Sequence, residues 1–205
     1  MPNSLCTTAK CCARHPRACQ GGREGGAAAS SDYSAHDDDS RETAIAAARL
    51  HAAASKSGDL AVSHTTGGGN LAFARNWWRH LQRAGVSNFA LLATDNAAYE
   101  ALEAELPGRA VRCPRSIVGA AADRIAAESD RGRGARYRSA GWTRLMFAVP
   151  AMVRWVLRLG LNVLWMDTDV VALADPFAVI RSQLAVIGNG NNDGLLLASV
   201  DGRVP

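Results

Sequence analysis

Two carboxylates, Asp167 and Asp169, stand one residue apart at the end of the apolar run in "LNVLWMDTDVVALADPF", Leu161 to Phe177. At a strand end, where the chain turns out of a sheet, both can approach one site. Unpaired carboxylates are costly to desolvate, and a divalent cation with oxygen ligands is the natural compensation. Mg2+ or Mn2+ held there would bridge to the phosphates of a substrate. The plain alternative is that Asp167 and Asp169 cap the following loop or pair with nearby arginines. A second chemistry-bearing stretch is the glycine run after "DLAVSHTT". Gly67, Gly69 and Ala72 fit G-x-G-x-x-A between a strand and a helix, with Asp95 at the end of the next strand, the pattern of a dinucleotide site. Consecutive glycines meet that pattern easily, so a flexible loop explains them as well.

The elements that must position these residues follow from periodicity. "DLAVSHTT" reads as a short buried strand and "GGG" as a loop. Asn70 is expected to cap the helix "LAFARNWWRHLQRAG", whose Leu71, Phe73, Trp77, Trp78 and Leu81 fall largely on one side and which Gly85 ends. "SNFALLATD" is a second strand, "NAAYEALEAELPG" a second capped helix and "RAVRCP" a third strand. This alternation predicts right-handed parallel crossovers and a sheet covered on both faces. "SIVGAAADRIAAESD" is helical in its first half, and "DRGRGARYRSAG" is an exposed loop. "WTRLMFAVPAMVRWVLRLG" predicts a long helix with Leu145, Val149, Met152, Val153, Val156 and Leu157 at helical spacing, kinked near Pro150 and ended by Gly160. "LNVLWM" then forms an interior parallel strand, and its aspartates emerge at the carboxyl edge where open α/β sheets bind ligands. The tail offers one more strand among turns.

Composition bounds the rest. A chain of 205 residues with 48% apolar content suits one domain with a proper core. Residues 1–58 are read as a disordered, low-complexity leader containing a short helix in "DDDSRETAIAAARLHAAASKSG", and residues 59–205 as the domain. The net charge is +4, yet lysine is absent after Lys56, and nine arginines face three acids between Arg109 and Arg144. That local positive field suits an anionic ligand or is simply a solvated basic loop; "RGRGARYR", with one aromatic, does not make a nucleic-acid platform. Cys6, Cys11, Cys12 and Cys19 crowd the start and only Cys113 lies in the body, which excludes a disulfide framework. Their spacing, even with His15, does not suit zinc. Lys10, Arg14, His15 and Arg17 occupy the place of a signal's apolar region. The greasiest window, Leu145 to Met166, is interrupted by Pro150, Arg154, Arg158 and Asn162, so no membrane span is read.

Two lines, "NWWRHLQRAGVSNFALLATD" and "WTRLMFAVPAMVRWVLRLGLNVLWMDTDVVALADPF", resemble the nucleotide-diphospho-sugar transferase family. This family includes plant and algal arabinosyl-, xylosyl- and galactosyltransferases of the retaining type. The resemblance covers roughly Asp59 to Phe177. It implies an α/β, GT-A-like Rossmann-type fold, a mostly parallel sheet flanked by helices, and a glycosyltransferase activity. By the match to the family's D-x-D, Asp169 is implied as the direct metal ligand and Asp167 as a contact to metal or ribose. Mn2+ or Mg2+ would hold the diphosphate of a UDP-linked sugar and stabilise the leaving group. Thr65, Thr66 and Thr168 would lie beside the nucleotide sugar, Asp95 would meet base or ribose, and Arg144 would contact phosphate or brace Asp167. Each has a structural competitor: Thr66 and Asn70 as helix caps, Asp95 as the cap of its own helix, Arg144 as a solvated helix residue. The implied acceptor is a glycan or glycoprotein, and the implied compartment the Golgi lumen. The chain departs from the family in two ways, since 36 residues follow Asp169 and no histidine follows His80, which predicts a domain truncated at its C-terminus. The alternatives are a non-catalytic nucleotide-binding fragment and a haloacid-dehalogenase-type phosphatase with Asp167 as nucleophile and Asp169 as general acid.

Overall fold

The structure, a computed structural model, describes residues 31–119 and 137–187, with side chains placed for 38–119 and 137–184. The N-terminal cysteine cluster, the "DRGRGAR" stretch and the tail beyond Ile187 lie outside the described residues. Contacts divide the chain into two units, Met1–Arg41 and Glu42–Pro205.

The second unit is built on four parallel strands, β1 (Asp59–Thr65), β2 (Phe89–Ala93), β3 (Ala110–Arg112) and β4 (Asn162–Trp165), in the order β3-β2-β1-β4. Every residue of β2 is buried, as expected of an inner strand covered on both faces. The helices are α1 (Ser31–Ala53), α2 (Asn70–Arg83), α3 (Asn96–Glu105), α4 (Arg115–Val118), α5 (Ala140–Arg158) and α6 (Pro176–Ile187). Strand alternation sorts the core into two layers. Leu60, Val62, Ala90 and Leu92 pack with α1, α4 and α5 on one face. Ala61, Phe89, Leu91 and Ala93 pack with Ala74, Trp77 and Leu81 of α2, Ala98 and Leu102 of α3 and Phe177 of α6 on the other. The α/β, mostly parallel architecture with flanking helices is therefore the one expected.

Local signals explain the element ends. Gly85, with φ of 81°, follows α2; its N–H donates to the Gln82 carbonyl at 3.0 Å, and the Val86 N–H reaches the Leu81 carbonyl at 2.9 Å. This paired arrangement satisfies the helix's last carbonyls and needs a left-handed residue that glycine adopts without steric cost. Ser139 caps α5 by accepting from the Trp142 N–H at 3.1 Å, and Asp175 caps α6 by accepting from the Phe177 N–H at 2.9 Å.

Five details differ from the sequence reading. The compact unit begins at Glu42 and not at Asp59, because Ala46, Leu50 and Ala53, spaced along one face of α1, are buried against the sheet. Arg49 reinforces this by donating to Glu103 at 2.7 Å and to the Ala110 carbonyl at 2.9 Å. Asn70 does not cap α2: the chain turns through Gly68 at φ 68°, the cap position falls on Gly69, and Asn70 is the first helical residue. Leu157 of α5 is 49% exposed, whereas Ala148 and Trp155 are buried. At 3.6 residues per turn it is rotated roughly 140° from Met152, off the buried stripe. The helix continues as one element through Pro150. Finally, β4 is the edge strand among the described residues; Asn162 is exposed and Val163, Leu164 and Trp165 are half-buried, so it is not an interior strand. The first four residues of the tail, 184–187, end α6, and the remainder, over which a further strand is expected, lies outside the described residues.

Candidate functional site

The strand order places the site. From β1 the chain crosses to β2 on one side, and after β3 it returns to lay β4 on the other side of β1. Connections leaving a parallel strand in opposite directions open a crevice at its carboxyl end, the usual ligand position in such sheets. A cleft of about 430 Å3 lies there, walled by the ends of β1 and β4, the first turn of α2 and the start of α5.

Asp167, Thr168 and Asp169 form one wall. The Met166 N–H still donates to the Val62 carbonyl at 3.1 Å, so Asp167 is the first residue beyond the ladder. The Val170 N–H then donates to the Asp167 carbonyl at 3.1 Å, closing a four-residue turn that curls both carboxylates toward the same cleft. Both residues are exposed. Among the described residues neither carboxylate has a hydrogen-bonding or ionic partner, so neither caps the loop or pairs with an arginine there.

Thr65 and Thr66 form the opposite wall, and both are buried. The Thr65 hydroxyl donates to the Thr66 carbonyl at 3.1 Å, while the Thr94 hydroxyl and N–H both reach the Thr65 carbonyl at 3.1 Å, tying the ends of β1 and β2 together. The Asn70 side-chain amide donates to Thr66 Oγ1 at 2.5 Å, which orients that hydroxyl along the cleft rim.

Asp95 and Arg144 are not brought to the cleft lining. Asp95 is buried behind the loop, where Oδ1 accepts from the Ala98 N–H at 2.8 Å and Oδ2 from the Gly67 N–H at 2.9 Å. It therefore caps α3 and clamps the glycine run. A Cβ on Gly67 would stand 3.1 Å from Ala97 Cβ and 3.2 Å from Asp95 Oδ1, so this glycine serves close packing. With its N–H given to Asp95, Gly67 belongs to the clamp between the end of β1 and α3. Arg144 is exposed on α5, outside the lining, and among the described residues makes no ion pair with Asp167.

Several lining residues were not expected at the site. Phe73, read as part of the core face of α2, is 53% exposed and faces the cleft, as do Tyr137 and Trp142. The last two meet edge to face, with ring centroids 4.8 Å apart. His64 also lines the cleft; it stacks on Trp165 at 5.6 Å, its Nδ1 is sealed without a partner, and burial pushes its pKa down to about 4. Only the pleat of β1 could have pointed to it, since His64 shares the face of Val62 but lies beyond the last core position.

The electrostatic balance of the lining is one-sided: two carboxylates and, among the described residues, no lysine or arginine. Three or more metal-ligating side chains do not cluster anywhere among the described residues. The donor set is thus two open carboxylate groups. Such a set fits Mg2+ or Mn2+, which retain water and take oxygen from substrate phosphates, better than an ion needing a complete protein cage.

Among known proteins, the family model described as nucleotide-diphospho-sugar transferase matches residues 84–202, a stretch that includes Asp167 and Asp169. No curated protein and no solved structure matches the chain.

Proposed function

Because the chain belongs to the nucleotide-diphospho-sugar transferase family, we propose that it moves a sugar from a UDP-linked donor to a glycan or glycoprotein acceptor in a reaction that depends on Mn2+ or Mg2+. The acidic character of the cleft carries this reading. A nucleotide diphosphate is an anion, and Asp167 and Asp169 would repel it in a lining that holds no cationic side chain among the described residues. A divalent cation reverses that sign. Asp169 and Asp167 are the residues to hold it, and once bound it would neutralise the diphosphate leaving group.

The remaining roles belong to the chain's own side chains. Thr65 and Thr66, fixed by Thr94 and Asn70, offer polar groups for the nucleotide from the wall opposite the carboxylates. Thr168 lies between the two aspartates, within reach of the same ligand. Phe73, Tyr137 and Trp142 offer flat apolar surfaces suited to a base or a sugar ring. Asp95 enters only through the loop it clamps, and Arg144 is assigned no contact. The Golgi lumen is proposed as the compartment on the family resemblance. None of the helices among the described residues is long and apolar enough to cross a membrane.

The test is thermal stabilisation. UDP with Mn2+ is expected to raise the melting temperature, by the equivalent of ~2.7 kcal/mol at a hundredfold excess over Kd, while UDP without the cation leaves it nearly unchanged. Asp169→Ala abolishes the response without lowering the ligand-free melting temperature, because an exposed carboxylate without partners contributes little to folding. Absence of any UDP response at all Mn2+ concentrations overturns the reading.

A further inference from the structure

His64 is a polar group that the fold leaves incomplete at the edge of this cleft. Its position on β1 puts it on the same face as Val62, above the core layer that Leu145 and Met152 close. The ring stacks on Trp165 with an interplanar angle of 21° and centroids 5.6 Å apart, which holds its plane. Nδ1 is buried without a hydrogen-bond partner among the described residues. Proteins ordinarily set the tautomer of a histidine through a bond to one nitrogen, leaving the other for function. Here that bond is missing on the sealed side. Orphaned buried N–H groups are rarer in proteins than under-satisfied acceptors, so the proton is assigned to Nε2, the nitrogen that is not sealed and through which the ring can meet a ligand in the cleft.

From this geometry, and resting on the nucleotide-sugar reading of the cleft, we propose that His64 is a positioning residue that donates a hydrogen bond through Nε2 to an oxygen of the bound donor nucleotide. It is not a third metal ligand, since no cluster of three ligating side chains occurs among the described residues. The depressed pKa agrees with a ring that stays neutral near pH 7 and therefore acts by direction and not by charge. The recognised oxygen belongs to the nucleoside or to the diphosphate, and either presents the same acceptor chemistry.

Calorimetric titration with UDP and with inorganic pyrophosphate, each with Mn2+, tests this on the native chain and on His64→Phe, His64→Gln and His64→Asn. Phenylalanine keeps the flat ring, glutamine returns an N–H near Nε2, and asparagine returns one near Nδ1. The expectation is a roughly tenfold loss of UDP affinity in His64→Phe, recovery in His64→Gln and none in His64→Asn. Pyrophosphate affinity unchanged by His64→Phe assigns the oxygen to the nucleoside; a parallel loss assigns it to the diphosphate. A folded His64→Phe that binds UDP as tightly as the native chain overturns this proposal alone, as does recovery in asparagine but not glutamine. Failure of the native chain to bind UDP overturns the nucleotide-sugar reading and the proposal with it. Should the variants misfold, the nitrogen-15 spectrum of His64 in the native chain decides: a protonated Nε2 whose resonance moves on adding UDP with Mg2+ supports the bond, and an unmoved or unprotonated Nε2 refutes it.

Discussion

Asp95 shows how one side chain can hold both a helix and a loop. Its oxygens accept from Ala98 and Gly67, and it is buried, so replacing it orphans two amides at once. Asp95→Ala is expected to lower stability by ~2 kcal/mol in urea unfolding. Had it been a ligand contact, the same change would weaken UDP binding and leave stability intact. His64 carries a pH signature of its own. Its folded pKa is about 4 against an ordinary 6.5, so between those values the unfolded chain binds a proton that the folded chain refuses. Its contribution to stability is complete above about pH 6.5 and declines as pH falls toward 4, by on the order of 3 kcal/mol in all. Chemical denaturation at stepped pH is expected to show this decline between pH 6.5 and 4.5, and His64→Phe to flatten it.

At the scale of elements, α1 is the informative case. Its alanine-rich sequence looks like solvated linker, yet Ala46, Leu50 and Ala53 are buried, and the Arg109 side chain donates to the Ala53 carbonyl at 2.9 Å. Leu50 is fully buried among residues of β1, β2 and α5. Leu50→Ala is therefore expected to cost about 2–5 kcal/mol, the range for a leucine removed from a packed core. A change within 0.5 kcal/mol by denaturant titration would return α1 to the leader. The opposite holds in α2 and α5, where Phe73 and Leu157 follow an apolar pattern but are exposed. Periodicity shows that a helix has a greasy side; it does not show how wide a strip the neighbouring layer covers.

Across the whole second unit, the decisive property is where opposite charges lie. The chain carries +4 overall, and its arginines crowd between Arg109 and Arg144, but the cleft lining is acidic among the described residues. Nucleotide affinity should accordingly follow the divalent cation more than the net charge. A chelator is expected to remove UDP binding even at low ionic strength, where a general basic field would act most strongly.

The sequence by itself determined the element order from β1 to β4, the parallel α/β class and the place of Asp167 and Asp169 just past a strand end, because strand and helix periods, caps such as Asp95 and Gly85, and a polar pair ending a greasy run are local properties of the chain. It also supported the family, which the match over residues 84–202 shows. Only the tertiary structure decided which residues meet. It sent β4 to the far side of β1, and so set Asp167 and Asp169 across from Thr65 and Thr66, roughly a hundred residues earlier in the chain. It turned Asp95 inward and left Arg144 outside, and it placed His64, Phe73, Tyr137 and Trp142 around the cleft. The physical reason is that a side chain's role depends on what packs against it. That is settled by strand order and by the layers on each face, neither of which is written in any short stretch of the chain.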